Sequence, residues 1–198
     1  TAQAMSLISG LYRKDREQQI VDYLVKDITQ REYAITGGDV GHPYMVAALT
    51  TYGRSDILNR MTNITDKPGY GYQVVNGATT LTEEWDGPEP GNLHGSLNHF
   101  MLGSIEEWFF SGLAGLYNIR EELPFGEMLI KPYFPDDIDF LEAFVTHPYG
   151  KTSLFWRRSG GGKIKVVIDV PANLTVHFVN EKTGEEKLYG SGRYEITI

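Results

Sequence analysis

Cysteine is missing from the 198 residues, which rules out disulfides and thiolate metal sites and leaves the redox compartment unreadable. No apolar run approaches the roughly 18 residues that a membrane-spanning helix needs. Positive charge is scarce: 18 Lys and Arg stand against 26 Asp and Glu, for a net charge of -8 and a pI near 5.1. That balance argues against nucleic acid or an anionic membrane surface as partner and leaves neutral ligands, sugars among them, open. The first residues, TAQAMSLISGLY, lack an initiator Met, a basic n-region and a signal-peptide h-region. They read as the middle of an apolar helix, with Ala4, Ile8 and Leu11 at helical spacing, and the expectation is that something upstream has been left out.

What is present is the composition of a folded globular chain, 41% hydrophobic and 22% charged, long enough for one ordinary domain or two small ones. The character changes at about residue 120. Before it the pattern is helical. Asp15 and Gln18 have capping-box spacing, and Ile20, Leu24 and Ile28 recur every four residues. Pro43 marks the start of a helix over 44–52 that Gly53 closes, and Ser55 is placed to cap the next, over 56–62. The strongest helix is expected over 98–119, with Met101, Ile105, Trp108, Phe109 and Leu113 as one apolar stripe. Glycine-rich stretches over 37–42 and 67–95 separate these helices; a loop as long as the second tends to be functional.

After Pro124 the period becomes two. Segments 141–145, 152–157, 164–170, 174–178 and 193–198 read as strands, with turns at 160–162 and 182–184, and an antiparallel sandwich is the natural inference.

The chemistry concentrates in GATTLTEEWDGPEPGNLHGSLNHF, residues 77–100. Glu83, Glu84, Asp86 and Glu89 surround Trp85, with Glu106 and Glu107 on the following helix. Carboxylates beside an indole suit a carbohydrate: the ring packs on sugar C–H groups, and the acids bond hydroxyls or activate water. On composition alone a tryptophan anchoring a loop among solvated acids is the better reading, at about two chances in three. Tyr70, Tyr72 and Gln73 precede this loop but lie among turn-forming dipeptides. Residues 37–42, GGDVGH, lack the GxGxxG spacing and the preceding strand of a nucleotide site, and the glycines before Lys163 do not make a Walker motif. His94 and His99 are five apart, not at the i, i+4 spacing of a zincin helix, so no metal is expected. Asn63 and Asn173 head sequons of a kind frequent by chance.

Taken together, these stretches resemble the bacterial α-L-rhamnosidases of glycoside hydrolase family 78. REYAITGGDVGHPYMVAALTTYGRSDILNRM is similar to late helices of that family's (α/α)6 barrel, and SLNHFMLGSIEEWFFSGLAGL to its final one. PGYGYQVVNGATTLTEEWDG looks like its most diagnostic stretch. HPYGKTSLFWRR, IDVPANLTVHF and YGSGRYEI are similar to its C-terminal β-sandwich. The resemblance implies barrel helices over 1–122 and a β-sandwich domain over 123–198. It also implies inverting hydrolysis of terminal α-L-rhamnosyl residues, without cofactor. Glu83 matches the general base, the acid shortly after GATT, and His99 matches a histidine that bonds the sugar. Trp85, Asp86 and Tyr72 are implied as pocket formers. Glu84 stands where the family commonly has Arg or Ala, which leaves the base to be chosen between Glu83 and Glu84. Thr82 stands where many members have Trp.

The family's general acid belongs to earlier helices, so this chain is expected to be inactive alone, with the missing part or self-association covering its exposed helix faces. Two other readings stay open: a non-catalytic or degenerate sugar-binding fragment, and an (α/α)6 glycosidase of different sugar specificity. The aglycone and any export are not readable from this stretch.

Overall fold

The structure is a computed structural model of the whole chain, and residues 1–87, 95–116 and 123–198 are described. They form two compact units, Thr1–Trp108 and Phe109–Ile198. The first is helical and the second is built on β-sheets.

In the first unit α1 (Ala2–Ser9) packs on α2 (Glu17–Gln30) and α3 (Gly41–Thr51). Ala4 and Leu7 are its buried residues, three apart on one face. In α2 the buried positions are Val21, Leu24 and Ile28, while Gln18 and Asp22 bond one turn apart on the solvent side. The capping box does not form. Asp15 lies in a 3-10 turn, Lys14–Arg16, and its carboxylate takes two bonds from Arg13, a partner whose bidentate fork outcompetes a backbone N–H.

Pro43 occupies the first turn of α3, where its missing N–H costs nothing. Beyond the helix Gly53 adopts φ 66, a left-handed conformation that leaves the Arg54 N–H bonded to the Leu49 carbonyl. In α4 (Ser55–Asn63) the Ser55 side chain makes no cap; its hydroxyl instead accepts the indole N–H of buried Trp108 at 3.1 Å. Burying an indole N–H without a partner is costly, which explains why the tryptophan claims that oxygen. α5 (Tyr70–Val75) follows after a loop.

The long helix expected over 98–119 is broken into unlike windings. Phe100–Ser104 is 3-10, α6 (Ile105–Trp108) is one α-turn, and Phe109–Leu113 is a π-turn. Gly103-Ser104, at the change from 3-10 to α, and Ser111-Gly112, within the π-turn, are weak helix formers. The apolar stripe rotates accordingly: Leu102, Ile105 and Trp108 are buried, whereas Met101 and Phe109 are exposed. The last part of that expected helix and the 122/123 boundary lie outside the described residues.

In the second unit β2 (Phe140–His147), β3 (Gly150–Ser159), β4 (Lys163–Val170) and β7 (Gly192–Thr197) form an antiparallel sheet in the order β2-β3-β4-β7. A smaller sheet has the order β1-β5-β6, from β1 (Glu127–Ile130), β5 (Thr175–Val179) and β6 (Glu186–Tyr189). It is mixed, not wholly antiparallel, because β1 runs parallel to β5 with Glu127 opposite Thr175. β1 and β6 escape a period-two reading: each has four residues, and β6 is almost entirely exposed and shows no alternation. Both sheets feed one core. Ile130, Leu154, Trp156, Val166, Ile168, Val176 and Phe178 are buried in it, with Phe134 edge-on to Trp156 at 5.3 Å. Each aliphatic side chain sealed there contributes roughly 1.5–3 kcal/mol.

Candidate active site

Glu83, Glu84, Trp85, Asp86 and His99 lie within the helical unit, where three loops meet. They are residues 37–40 before α3, the turn over 82–87, and residues 95–99 ahead of the 3-10 turn. Backbone bonds tie the second and third of these loops to each other and to the chain around them. Gly69 N–H donates to the Trp85 carbonyl at 3.2 Å, Glu83 N–H to the Ser96 carbonyl at 2.8 Å, and His99 N–H to the Leu81 carbonyl at 2.7 Å.

Trp85 is the anchor of this arrangement. It is 8% exposed, its indole N–H donates to the Gly37 carbonyl at 2.7 Å, and its ring meets His42 and Tyr70 with centroids 4.9 Å from each. Little of the ring is therefore open to a ligand among the described residues, because it is buried and its one donor is already spent inside the protein. Beneath it lies a buried polar chain. A phenol has one hydrogen, and Tyr70 gives it to the Leu102 carbonyl. The 2.9 Å bond between Tyr70 and His42 must then run from His42 Nε2–H to the phenolic oxygen. His42 Nδ1 is left bare, with no partner among the described residues. Burial pushes the His42 pKa down to about 4, so the ring is neutral at neutral pH, and burial likewise raises that of Tyr70.

Thr82 is also buried, at 2% exposure, and the carbonyls of Glu84 and Gly87, at 2.8 and 3.0 Å from its hydroxyl oxygen, share its one hydrogen. Gln73, buried on α5, accepts the Thr82 N–H at 3.2 Å and donates to the Glu84 carbonyl at 3.2 Å. The turn that carries the two glutamates is thus braced from below by Thr82, Gln73 and Trp85. Thr82 braces the turn where the resemblance puts a tryptophan.

Glu83 and Glu84 part company at this turn. The Glu83 carboxylate folds back to accept the Ser96 N–H at 2.7 Å, and its side chain stays 42% exposed. The Glu84 side chain is exposed, and the contacts of this residue run through its carbonyl. Gly95, at φ 73, allows the return of the chain: a Cβ there would lie 2.9 Å from Glu83 Oε2. His99, whose side chain is 20% exposed, puts Nδ1 at 4.0 Å from Glu83 Oε2 and Nε2 at 3.1 Å from Asp39 Oδ2. Bonding to His99 holds the Asp39 carboxyl below the usual carboxylate range.

Of the residues named from sequence, Glu83 and His99 are brought together, and Trp85 supports them from beneath. Asp86 is exposed on the same turn, and Tyr72 is half-buried on α5. Glu89 and His94 lie outside the described residues. Sequence reasoning missed Asp39, His42 and the role of Gln73. Asp39 and His42 belong to a glycine-rich stretch that reads locally only as a failed nucleotide loop, and no local pattern links them to Tyr70 and His99, 28 and 60 positions away. Among the described residues no group of three or more His, Asp or Glu is placed to hold a metal, and no helix is long and apolar enough to cross a membrane.

Comparison with known proteins gives one consistent answer. Residues 1–113 match the bacterial alpha-L-rhamnosidase 6 hairpin glycosidase domain, and residues 119–193 match the bacterial alpha-L-rhamnosidase C-terminal domain. An alpha-L-rhamnosidase of Streptomyces avermitilis is 28% identical over 177 residues, which is 87% of this chain and 16% of that protein. One from Alteromonas sp. (strain LOR) is 27% identical over 186 residues, 90% of this chain and 20% of the relative. The crystal structure of the native Aspergillus terreus α-L-rhamnosidase superposes with a TM-score of 0.87 at 28% identity, covering 99% of this chain and 23% of that one. The chain thus spans no more than about a fifth of the curated relatives it matches.

Proposed function

The chain belongs to the bacterial α-L-rhamnosidase family, and from that membership we propose that it carries the general-base half of an inverting site for terminal α-L-rhamnosyl residues. In this reading the helices of Thr1–Trp108 are late members of an (α/α)6 toroid and the second unit is its C-terminal β-sandwich.

The observation that carries the assignment is the Glu83 carboxylate. It is held by the Ser96 N–H at 2.7 Å, remains open to solvent, and has His99 beside it at 4.0 Å. An inverting glycosidase needs one carboxylate to take a proton from water as that water attacks the anomeric carbon, and one carboxylic acid across the ring to protonate the departing oxygen. Glu83 suits the first role because a backbone donor fixes its direction without neutralising it. Both glutamate side chains are exposed, but it is Glu83 whose carboxylate is fixed by a backbone donor with His99 beside it, which favours Glu83 of the two. His99 borders the same subsite, Asp86 and Tyr72 flank it, and Trp85 holds the turn in place. The acid comes from the part of the barrel that relatives carry and this chain does not, so the chain alone is inactive. The exposed side chains of Leu11, Val40, Val74 and Phe100 are then faces covered by that part or by self-association.

The test is hydrolysis of an aryl α-L-rhamnoside by the 198-residue chain and by a polypeptide that also carries the upstream helices. The short form should show no turnover. In the longer one Glu83→Gln should lower kcat by about 10²–10⁴-fold, while Glu84→Gln retains most of it. The reverse result for the two glutamines would move the base to Glu84. Turnover by the short chain would end the half-site reading.

A further inference from the structure

Asp39 stands apart from every residue so far given a role in the reaction, yet it touches one of them directly. Its Oδ2 lies 3.1 Å from His99 Nε2, a contact between residues 60 positions apart in the chain. A carboxylate offers only lone pairs, so Nε2 must carry the hydrogen. With that corner of the ring tied down, Nδ1 is turned toward Glu83 Oε2 at 4.0 Å. That separation is too long for a hydrogen bond, and it admits one oxygen atom at about 2.8 Å from both. On a neutral His99, Nδ1 is an acceptor, and so is the Glu83 carboxylate. An oxygen between them has to donate twice. Water has two hydrogens to give, and a sugar hydroxyl has one.

We propose that Asp39 is a positioning residue: it fixes His99 as the Nε2–H tautomer, so that His99 and Glu83 together hold one water by both of its hydrogens. The water's lone pairs are then turned away from the two acceptors, toward the space a sugar would occupy. Asp39 itself touches no substrate, and its effect passes through His99. The identity of that water as the attacking one rests on the reading of Glu83 as general base; the Asp39–His99 relation does not.

The first arm uses the chain as it stands. Side-chain ¹H–¹⁵N correlation spectra, recorded where His99 is neutral, should show it as Nε2–H with a proton slow enough in exchange to be seen. Asp39→Ala should lose that proton signal and mix the tautomers. Asp39→Asn, which presents a carbonyl oxygen to the same N–H, should keep both. The His42 and His177 signals report that each variant is folded. A neutral His99 protonated on Nδ1, or a spectrum unchanged in Asp39→Ala, overturns the positioning role whatever the chain hydrolyses.

The second arm uses the longer polypeptide with the upstream helices. Asp39→Ala should lower kcat by about 10- to 100-fold with KM unchanged, and Asp39→Asn should recover most of it. A raised KM at constant kcat would place a sugar hydroxyl in the gap and overturn the water. No turnover by the wild-type longer form would instead count against the rhamnosidase reading and leave the first arm to decide on Asp39.

Discussion

In the helical unit His42 is sealed beneath Trp85, with one nitrogen donating to Tyr70 and the other bare among the described residues. In the β unit His177 bridges strands, with Nδ1 2.6 Å from Glu186 Oε1 and Nε2 2.5 Å from Glu127 Oε2. Two carboxylates can only accept, so this pairing favours the doubly protonated, cationic ring, and the bond to Glu186 above all raises its pKa. His99 stands between these extremes, with one nitrogen bound and the other 4.0 Å from its nearest carboxylate. The same side chain is thus a neutral packing element, a cationic clamp, and a group with one valence left over. What separates the three is how many of their bonds the fold has already made. The unfinished one sits where the open carboxylate is.

The opposed charge states give opposed pH responses, and the larger belongs to His42. Its pKa is depressed to about 4 in the folded chain, so below about 6.5 the unfolded chain takes up the proton first. Unfolding free energy should fall by about 3 kcal/mol as pH drops from 6.5 through 4. Denaturant midpoints across that range check it, and His42→Gln should flatten the slope. Next comes Tyr70→Phe, which strips a partner from His42 Nε2–H and from the Leu102 carbonyl at once. A loss of about 2–3 kcal/mol is expected, against about 1 kcal/mol for an ordinary intramolecular hydrogen bond. Gly95→Ala forces a side chain into φ 73 and against Glu83. It should cost about 1–2 kcal/mol, and in the longer polypeptide it should lower turnover by more than that stability loss explains.

The smallest effect is expected at His177. Its stabilisation is complete below about pH 6.5 and is lost as the pH rises through its raised value. His177→Gln should cost about 1 kcal/mol at pH 6 and markedly less at pH 9, as read by chemical denaturation. A wild-type chain whose stability fell at neither end would dissolve the contrast between the two histidines.

Much of this was legible in order and little of it in distance. Period-four apolar spacing marked α2, and alternation marked β2, β3, β4, β5 and β7, because those patterns follow from burial of a single face. The broken winding around Phe100–Leu113 was not, since Gly-Ser pairs lower helix preference without naming the winding that replaces it. At the site Glu83 and His99 could be named from resemblance. Trp85 was named too, but its burial depends on the Gly37 carbonyl and on His42, groups from a different loop. The Asp39–His99 contact is tertiary in the same sense: neither residue has a local reason to seek the other.

The parallel pairing of β1 with β5 has a consequence in time. Glu127 pairs with Thr175, roughly fifty residues further on. A ribosome adding about 5–20 residues each second needs roughly 2–10 seconds to supply the partner. During that interval β2, β3 and β4 can zip together as neighbours, while β1 waits with its backbone edge unpaired. A chain made slowly leaves that edge open for longest, and a chaperone that grips extended strands would find its natural foothold on residues 127–130.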